Sequence, residues 1–275
     1  MDRRHFLAGA GAGLLAAGTA RAADWPPKGG ATQLKRARVL DQKEIPVFGY
    51  KVVKTYPHDL GAYTEGFLKI GGTIYEGTGL YGRSKLMEWD LQSGRILREH
   101  RLKPQIFGEG VTVFNGQIFQ LTYLDNLVYV YDQKTFTQIK EMRYSTQGWG
   151  LTHDGTHLLM SAGSSTIDIR DPETFKPLRR FSVADAVGPV GFLNELEYAD
   201  GKLYANVWQT NFIAIIDPVM GKLIGWIDLQ GLNPDPKELV YPYVLNGIAY
   251  DTETRHLLVT GKCWPHVWEI ALVPR

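Results

Sequence analysis

A phrase made of an apolar strand, an Asp and a turn returns along this chain, and its spacing is the tightest constraint on the fold. The first copy is Met87-Glu88-Trp89-Asp90. Later copies are Val128-Tyr129-Val130-Tyr131-Asp132, Ile167-Asp168-Ile169-Arg170-Asp171 and Ala214-Ile215-Ile216-Asp217, with closing Asp residues 42, 39 and 46 positions apart. A repeat of about 40 residues built from short strands predicts an all-β fold, a β-propeller whose blades are four-stranded sheets around a central channel. A second register marks turns that feed strands: Gly72-Thr73-Ile74-Tyr75, Gly116-Gln117-Ile118-Phe119, Gly155-Thr156-His157-Leu158 and Gly201-Lys202-Leu203-Tyr204, with a degenerate copy at Arg255-His256-Leu257-Leu258. Glycine supplies the positive φ that tight hairpins need, and the β-branched and aromatic residues that follow suit buried strands.

Each hairpin is preceded by another short strand, expected at Tyr63–Leu68, Gly108–Phe114, Gly148–His153, Leu193–Tyr198 and Leu245–Tyr250. The count is five blades. The last has only three strands after Val244, ending in Val267-Trp268-Glu269-Ile270, while Phe48–Val53 is a spare strand near the other end. That strand is expected to complete the last blade and close a five-bladed β-propeller over residues 46–275, because an open ring leaves unpaired edges. Residues 23–45, interrupted by Pro26 and Pro27, read as a leader or lid, and Asn233-Pro234-Asp235-Pro236 reads as an inserted loop.

The 275 residues include 44% hydrophobic side chains and seven Trp, enough for a sizeable core. No apolar run reaches the roughly 18–20 residues that span a membrane. A formal charge of +1 with scattered Lys and Arg leaves no footprint for nucleic acid. Arg3-Arg4-His5-Phe6-Leu7, the apolar run Ala8–Ala17 and Ala20-Arg21-Ala22 read as a twin-arginine signal peptide over residues 1–22. Its removal takes the chain from +1 to −1 and implies a periplasmic protein, free of the membrane after cleavage. Cys263 is the only cysteine, so no intrachain disulfide forms; beside Trp264 it reads as a small buried filler rather than a catalytic thiol.

In a propeller the first strand of each blade lines the channel. Aligning Thr64-Glu65-Gly66, Gly108-Glu109-Gly110, Gly148-Trp149-Gly150, Asn194-Glu195-Leu196 and Leu245-Asn246-Gly247 puts Glu65, Glu109, Trp149, Glu195 and Asn246 at one position of the repeat. Seven residues past each turn glycine stand Gly79, Tyr123, Ala162 and Trp208, with Lys262 at the matching place in the fifth copy. The two rings outline an aromatic pocket with acids and one lysine, the kind of site that takes a small molecule or a peptide terminus. The alternative is that the aromatics pack between blades and the carboxylates are solvated. Pro57-His58-Asp59 has no second His or carboxylate at ligand spacing, so His58 reads as a structural hydrogen-bonding residue rather than a zinc ligand. Ser164-Ser165 lacks a nucleophile-elbow context, and no nucleotide-binding glycine loop is present.

Seven phrases resemble the glutaminyl-peptide cyclotransferases of the plant and bacterial type. They are Tyr56–Asp59, Thr78–Ser84, Phe107–Gly110, Gly148–Leu151, Leu193–Tyr198, Asn206–Thr210 and Val259–Lys262, in the same order from about residue 50 onward. The resemblance implies a five-bladed propeller that converts an N-terminal glutamine of a peptide or protein into pyroglutamate with loss of ammonia. It implies an acyltransferase that works as a monomer with no cofactor and no catalytic metal. Carried over by motif, the essential acid falls on Glu109, with Lys262 and Asn194 beside it. The substrate pocket falls on Tyr63, Glu65, Phe107, Tyr123, Trp149 and Trp208. The plant members carry Gln at the place of Glu65 and Trp at that of Tyr123. Cyclisation then needs Glu109, with a pKa raised by desolvation, to carry the α-amine proton to the departing ammonia. Lys262, Asn194 or the Trp149 indole would stabilise the oxyanion, and Trp208, Phe107 and Tyr63 would clamp the side chain. A non-catalytic periplasmic propeller that binds peptides or sugars through the same pocket is the competing expectation.

Overall fold

The recurrent Asp has a local cause. Its Oδ1 accepts the backbone N–H two or three residues on: Ser93 for Asp90, Thr135 for Asp132, Thr174 for Asp171 and Val219 for Asp217. Each turn then closes when the N–H of Gly94, Phe136, Phe175 or Gly221 donates to the carbonyl of that same Asp. These four closing residues all have positive φ, so two of the turns hold a Phe there without glycine's freedom. An Asp side chain that mimics a backbone turn offsets part of that strain. The same turn recurs at Asp251, closed by Arg255.

The computed structural model describes residues 34–233 and 243–275, so residues 1–33 and most of the expected inserted loop lie outside the described residues. Three sheets are four-stranded and antiparallel: β2 (Thr64–Ile70) to β5 (Ile96–Arg101) through β3 (Thr73–Thr78) and β4 (Lys85–Asp90); β6 (Gly108–Phe114) to β9 (Gln138–Arg143) through β7 (Gln117–Thr122) and β8 (Leu127–Asp132); and β10 (Leu151–His153) to β13 (Pro177–Ser182) through β11 (Leu158–Ser161) and β12 (Thr166–Arg170). The fourth sheet has eight strands. One half is β14 (Leu193–Ala199), β15 (Lys202–Val207), β16 (Phe212–Asp217) and β17 (Lys222–Asp228). The other is β18 (Leu245–Tyr250), β19 (Leu257–Gly261), β20 (His266–Pro274) and β1 (Val47–Pro57).

Strand β1 contains the spare segment 48–53 and pairs antiparallel with β20 from Phe48–Pro274 to Pro57–His266. A short parallel contact, Val47 with Trp226 and Phe48 with Ile227, joins the two halves of the large sheet. The strand β10 begins only at Leu151, three residues after the expected start. The first strands pack in cyclic order: β2 against β6, β6 against β10, β10 against β14, β14 against β18, and β18 back against β2.

Burial follows strand rank. The second and third strands of each sheet are almost wholly buried, as in β7 and β8, whereas β5, β9 and β13 are largely exposed. Their Arg101, Lys140, Arg143, Arg179 and Arg180 are charged residues of the kind that keep an edge from pairing with another chain. Among the described residues the one helix is α1 (Arg36–Leu40). Val39 is fully buried against a core that includes Val183, Val190 and Trp226, while Arg36 grips Asp228 and Arg38 grips Asp185 through paired hydrogen bonds. The described part of the expected leader is therefore packed onto the loop before β14 and the end of β17.

Candidate active site

Four of the first strands carry a β-bulge at the same place. Thr64 pairs with Thr78, Gly108 with Thr122, Leu193 with Val207 and Leu245 with Gly261, and in each strand the register slips immediately afterwards. The extra residue re-aims a side chain out of the pleat. These registers correct one assignment. Leu193 occupies the place of Thr64 and Gly108, so the residue equivalent to Glu65, Glu109 and Asn246 is Asn194, and Glu195 falls one position later, where the other copies hold glycine. An inserted residue shifts the count by one, and nothing in Leu193-Asn194-Glu195-Leu196 alone marks which of the two polar residues it is.

Four of the five members of the second ring share one backbone tie. The N–H groups of Gly79, Tyr123, Trp208 and Lys262 donate to the carbonyls of Tyr63, Phe107, Phe192 and Val244, each the residue just before a first strand. This shared tie exposes a pocket residue that the sequence reading missed. Phe192 stands in the row of Tyr63 and Phe107 and stacks on Trp208 at 6.5 Å between centroids. The signal was available, an aromatic immediately before the strand, but the misaligned fourth copy hid it.

The aromatic walls form two groups. Phe107 meets Tyr63 edge-on at 6.0 Å, Tyr81 at 5.4 Å and Tyr123 at 5.7 Å. Gly79 makes room for it, since a Cβ there would lie 2.3 Å from the Phe107 ring. On the other side Trp149 meets Trp208 at 6.1 Å, with its indole laid against Gly163. The Trp149 N–H donates to Gln147 Oε1, so that group is already directed along the rim rather than left for an oxyanion.

The charged floor is buried. Lys262 Nζ lies 2.6 Å from Glu65 Oε1 and 4.5 Å from the centroid of the Tyr63 ring. Asn246 Nδ2 donates to Glu65 Oε2 at 3.2 Å and to the Thr64 carbonyl at 2.9 Å. The Glu109 carboxyl, only 4% exposed, lies close enough to Glu65 for the two charges to act on each other. Burial, and then the Glu65 charge, hold the Glu109 carboxyl well above the usual carboxylate range. Burial also raises Glu65, against the pull of Lys262. Two like charges in one buried site cannot both be present without penalty, which favours protonation of one of them. Lys262 touches Glu65 and pulls its carboxyl down, so the upward push is the stronger on Glu109. Asn194, only 2% exposed, has an Oδ1 with no partner among the described residues, as has the Oδ1 of Asn246.

Below this floor Glu76 accepts from Thr64 Oγ1 at 2.8 Å, Trp89 Nε1 at 2.9 Å and His58 Nε2 at 3.2 Å, while His58 Nδ1 reaches the Trp264 carbonyl. His58 is thus spoken for by hydrogen bonds, and its pKa is raised by the Glu76 charge even though burial opposes it. Among the described residues no group of three or more His, Cys, Asp or Glu side chains is placed to hold a metal ion. Cys263 is not the buried filler expected from its neighbour. It is half-buried in the β19–β20 turn with positive φ, and burial pushes its thiol up, away from thiolate reactivity.

Comparison with known proteins adds three findings. A family model described as glutamine cyclotransferase matches residues 29–272. A curated Arabidopsis thaliana protein, glutaminyl-peptide cyclotransferase, is 39% identical over 226 residues, covering 81% of this chain and 71% of that protein. The crystal structure of Myxococcus xanthus glutaminyl cyclase superposes with a TM-score of 0.77 at 29% identity, over 84% of this chain and all of that one.

Proposed function

Because the chain belongs to the glutamine cyclotransferase family and its activity is that of a glutaminyl-peptide cyclotransferase, we propose that Glu109 is the proton shuttle of the cyclisation. The observation that carries this reading is the Lys262–Glu65–Glu109 cluster, charged and buried at the floor of an aromatic pocket. The neutral α-amine of an N-terminal glutamine attacks the carbon of its own γ-amide, a C–N bond forms, and the bond to the amide nitrogen breaks. One proton leaves the attacking amine and one reaches the departing nitrogen, so the products are a lactam and ammonia. Glu109 in its ionised form takes the first proton and delivers it as the second. A carboxyl group with a raised pKa is suited to both halves of that transfer near neutral pH.

The remaining roles follow from position. The aromatics Tyr63, Phe107 and Tyr123 on one side and Trp149 and Trp208 on the other would clamp the side chain in a folded, near-attack conformer and limit hydrolysis to glutamate. Lys262 and the Asn194 amide would stabilise the oxyanion. Glu65, first read as a substrate contact, acts in this proposal by setting the charge beside Glu109. The reaction transfers an acyl group from one nitrogen to another and runs without a metal. The cyclic packing of the five first strands supports a five-bladed propeller with β1 completing the last blade. The twin-arginine signal pattern over residues 1–22 supports export to the periplasm, where the substrates would be peptides or proteins with N-terminal glutamine and the enzyme a monomer that binds no nucleic acid. Ammonia release from a Gln-initiated dipeptide in the presence of EDTA tests the reading. We expect release by the wild type and a loss of orders of magnitude in kcat for a folded Glu109→Gln variant. A folded, active Glu109→Gln removes Glu109 from the role, and loss of wild-type activity in EDTA removes the metal-free step.

A further inference from the structure

At the position after Glu65, Glu109, Trp149, Asn194 and Asn246 the repeat holds glycine in four copies and Glu195 in the other. The glycines are explained by crowding. A Cβ on Gly66 would lie 2.2 Å from Val111 N, one on Gly110 2.4 Å from Trp149 O, and one on Gly150 2.0 Å from Asn194 O, all backbone atoms of the next copy of the repeat. At Gly247 the obstacle is Thr260 at 2.8 Å, and φ is +122°. In β14 the same position admits a side chain, Glu195. Glu195 uses that space fully: it is 1% exposed, and its two carboxylate oxygens accept different strands. Oε2 takes the N–H of Ile248 in β18 at 2.8 Å, and Oε1 takes the N–H of Phe67 in β2 at 3.3 Å, across the channel.

The strands it ties are those of the active site. Phe67 lies two residues after Glu65, Ile248 two residues after Asn246, and Glu195 itself follows Asn194. We propose that Glu195 is a positioning residue for the cyclisation, a carboxylate strut across the channel that fixes the spacing of Glu65, Asn246 and Asn194 and through Glu65 the contact with Glu109. It does not reach the substrate. Its own carboxyl is held well above the usual range by burial and by Glu197 on the same strand; the other charged groups nearby in the site are Glu65, Glu109 and Lys262. Both oxygens accept in the ionised form, and protonation weakens one of the two ties. This inference rests on Glu109 being the shuttle.

Three variants test it on Gln-initiated dipeptides. Glu195→Gln keeps the shape but turns an NH2 toward one of the two backbone N–H donors. Glu195→Gly gives the fourth copy the residue the other four already use at this place. Glu197→Gln is the control: Glu197 also reaches β18, accepting the Tyr250 N–H at 2.8 Å, but two residues further from the site. We expect Glu195→Gln and Glu195→Gly to unfold cooperatively, to lose about tenfold to a hundredfold in kcat with a smaller change in KM, and to shift the acid limb of the kcat/KM profile to lower pH as the Glu65–Glu109 contact loosens. Glu197→Gln should keep the wild-type kcat and acid limb. A folded variant at Glu195 with wild-type kcat and profile overturns the proposal, as does Glu197→Gln moving the same readouts. Should Glu195→Gln not fold, Glu195→Gly decides; should neither fold, Glu195 is a folding residue and the positioning role is overturned. An unchanged acid limb in Glu109→Gln points instead to a failure of the shuttle assignment, whatever Glu195 does.

Discussion

Replacing Glu65 by Gln isolates the electrostatics of the buried pair, because it removes one negative charge and leaves nearly the same shape. In the wild type the Glu65 charge, after burial, is the largest influence keeping the proton on Glu109. Two unit charges about 4 Å apart interact by about 1 kcal/mol in water and about 4 kcal/mol at an effective dielectric near 20. Lys262, 2.6 Å from Glu65, cancels much of that field, so the lower part of the range applies. A net change of about 1.4 kcal/mol multiplies the ionised fraction of Glu109 by about ten wherever the acid form predominates. The same substitution frees Lys262 to favour the ionised Glu109 further. The sign is therefore fixed: with its pKa lowered toward the usual carboxylate range, Glu109 ionises at lower pH in Glu65→Gln. The expected result is an acid limb of kcat/KM moved to lower pH and about a tenfold gain in rate on that limb, with little gain on the alkaline plateau. Initial rates of ammonia release from a Gln-initiated dipeptide, measured from pH 5 to 9 in constant ionic strength, provide the assay. An acid limb that stays in place, or moves to higher pH, refutes the shared-proton account of the floor.

Other expectations follow from single contacts. Gly79→Ala puts a Cβ 2.3 Å from the Phe107 ring and 3.1 Å from Glu65 Oε1, so the ring must swing into the pocket; overpacking of this kind costs about 1–3 kcal/mol, and kcat/KM should fall about tenfold to a hundredfold in a folded protein. Stability should depend on pH in an unusual direction. Burial raises the Glu197 carboxyl from 4.5 to about 8, so its contribution is complete below about 4.5 and is lost as pH climbs through about 8. Glu195 and Glu109 are raised in the same sense. Thermal melts should therefore weaken from pH 5 to pH 8, and Glu197→Gln should flatten that slope; a melting temperature that rises over this window contradicts the assignment.

The parts of the fold that local chemistry dictates were legible in the sequence. Asp90, Asp132, Asp171 and Asp217 announce their turns because the side chain itself makes the turn hydrogen bond. Gly116, Gly155 and Gly201 announce theirs through positive φ, whereas in the first copy the positive φ falls on Gly71 rather than Gly72 and in the fifth on Arg255, which nothing in its residue type foretells. What escaped were features set by packing between strands. The bulge at Asn194 is a slip in the pairing of β14 with β15, which no local pattern records. Phe192 was hidden by the same slip. The parallel contact of Val47 and Phe48 with β17 involves two residue pairs at an edge and leaves no periodic trace. Glu65 and Lys262 each stood out as polar members of the rings, yet only the coordinates show that they touch.

Strand β1 gives the molecule a single seam. Phe48 pairs with Pro274 and Pro57 with His266, partners 226 and 209 residues apart in sequence. Contacts of such separation carry the largest loop-closure cost and form late in folding. Strand β20 thus zips β1 into place, and the three hairpin-built sheets can form before that pairing. Cutting the chain within residues 266–274 would strip β1 of its antiparallel partner and expose the edges of both halves of the large sheet, so β20 is a poor place for a truncation and a direct handle on how fast those halves separate.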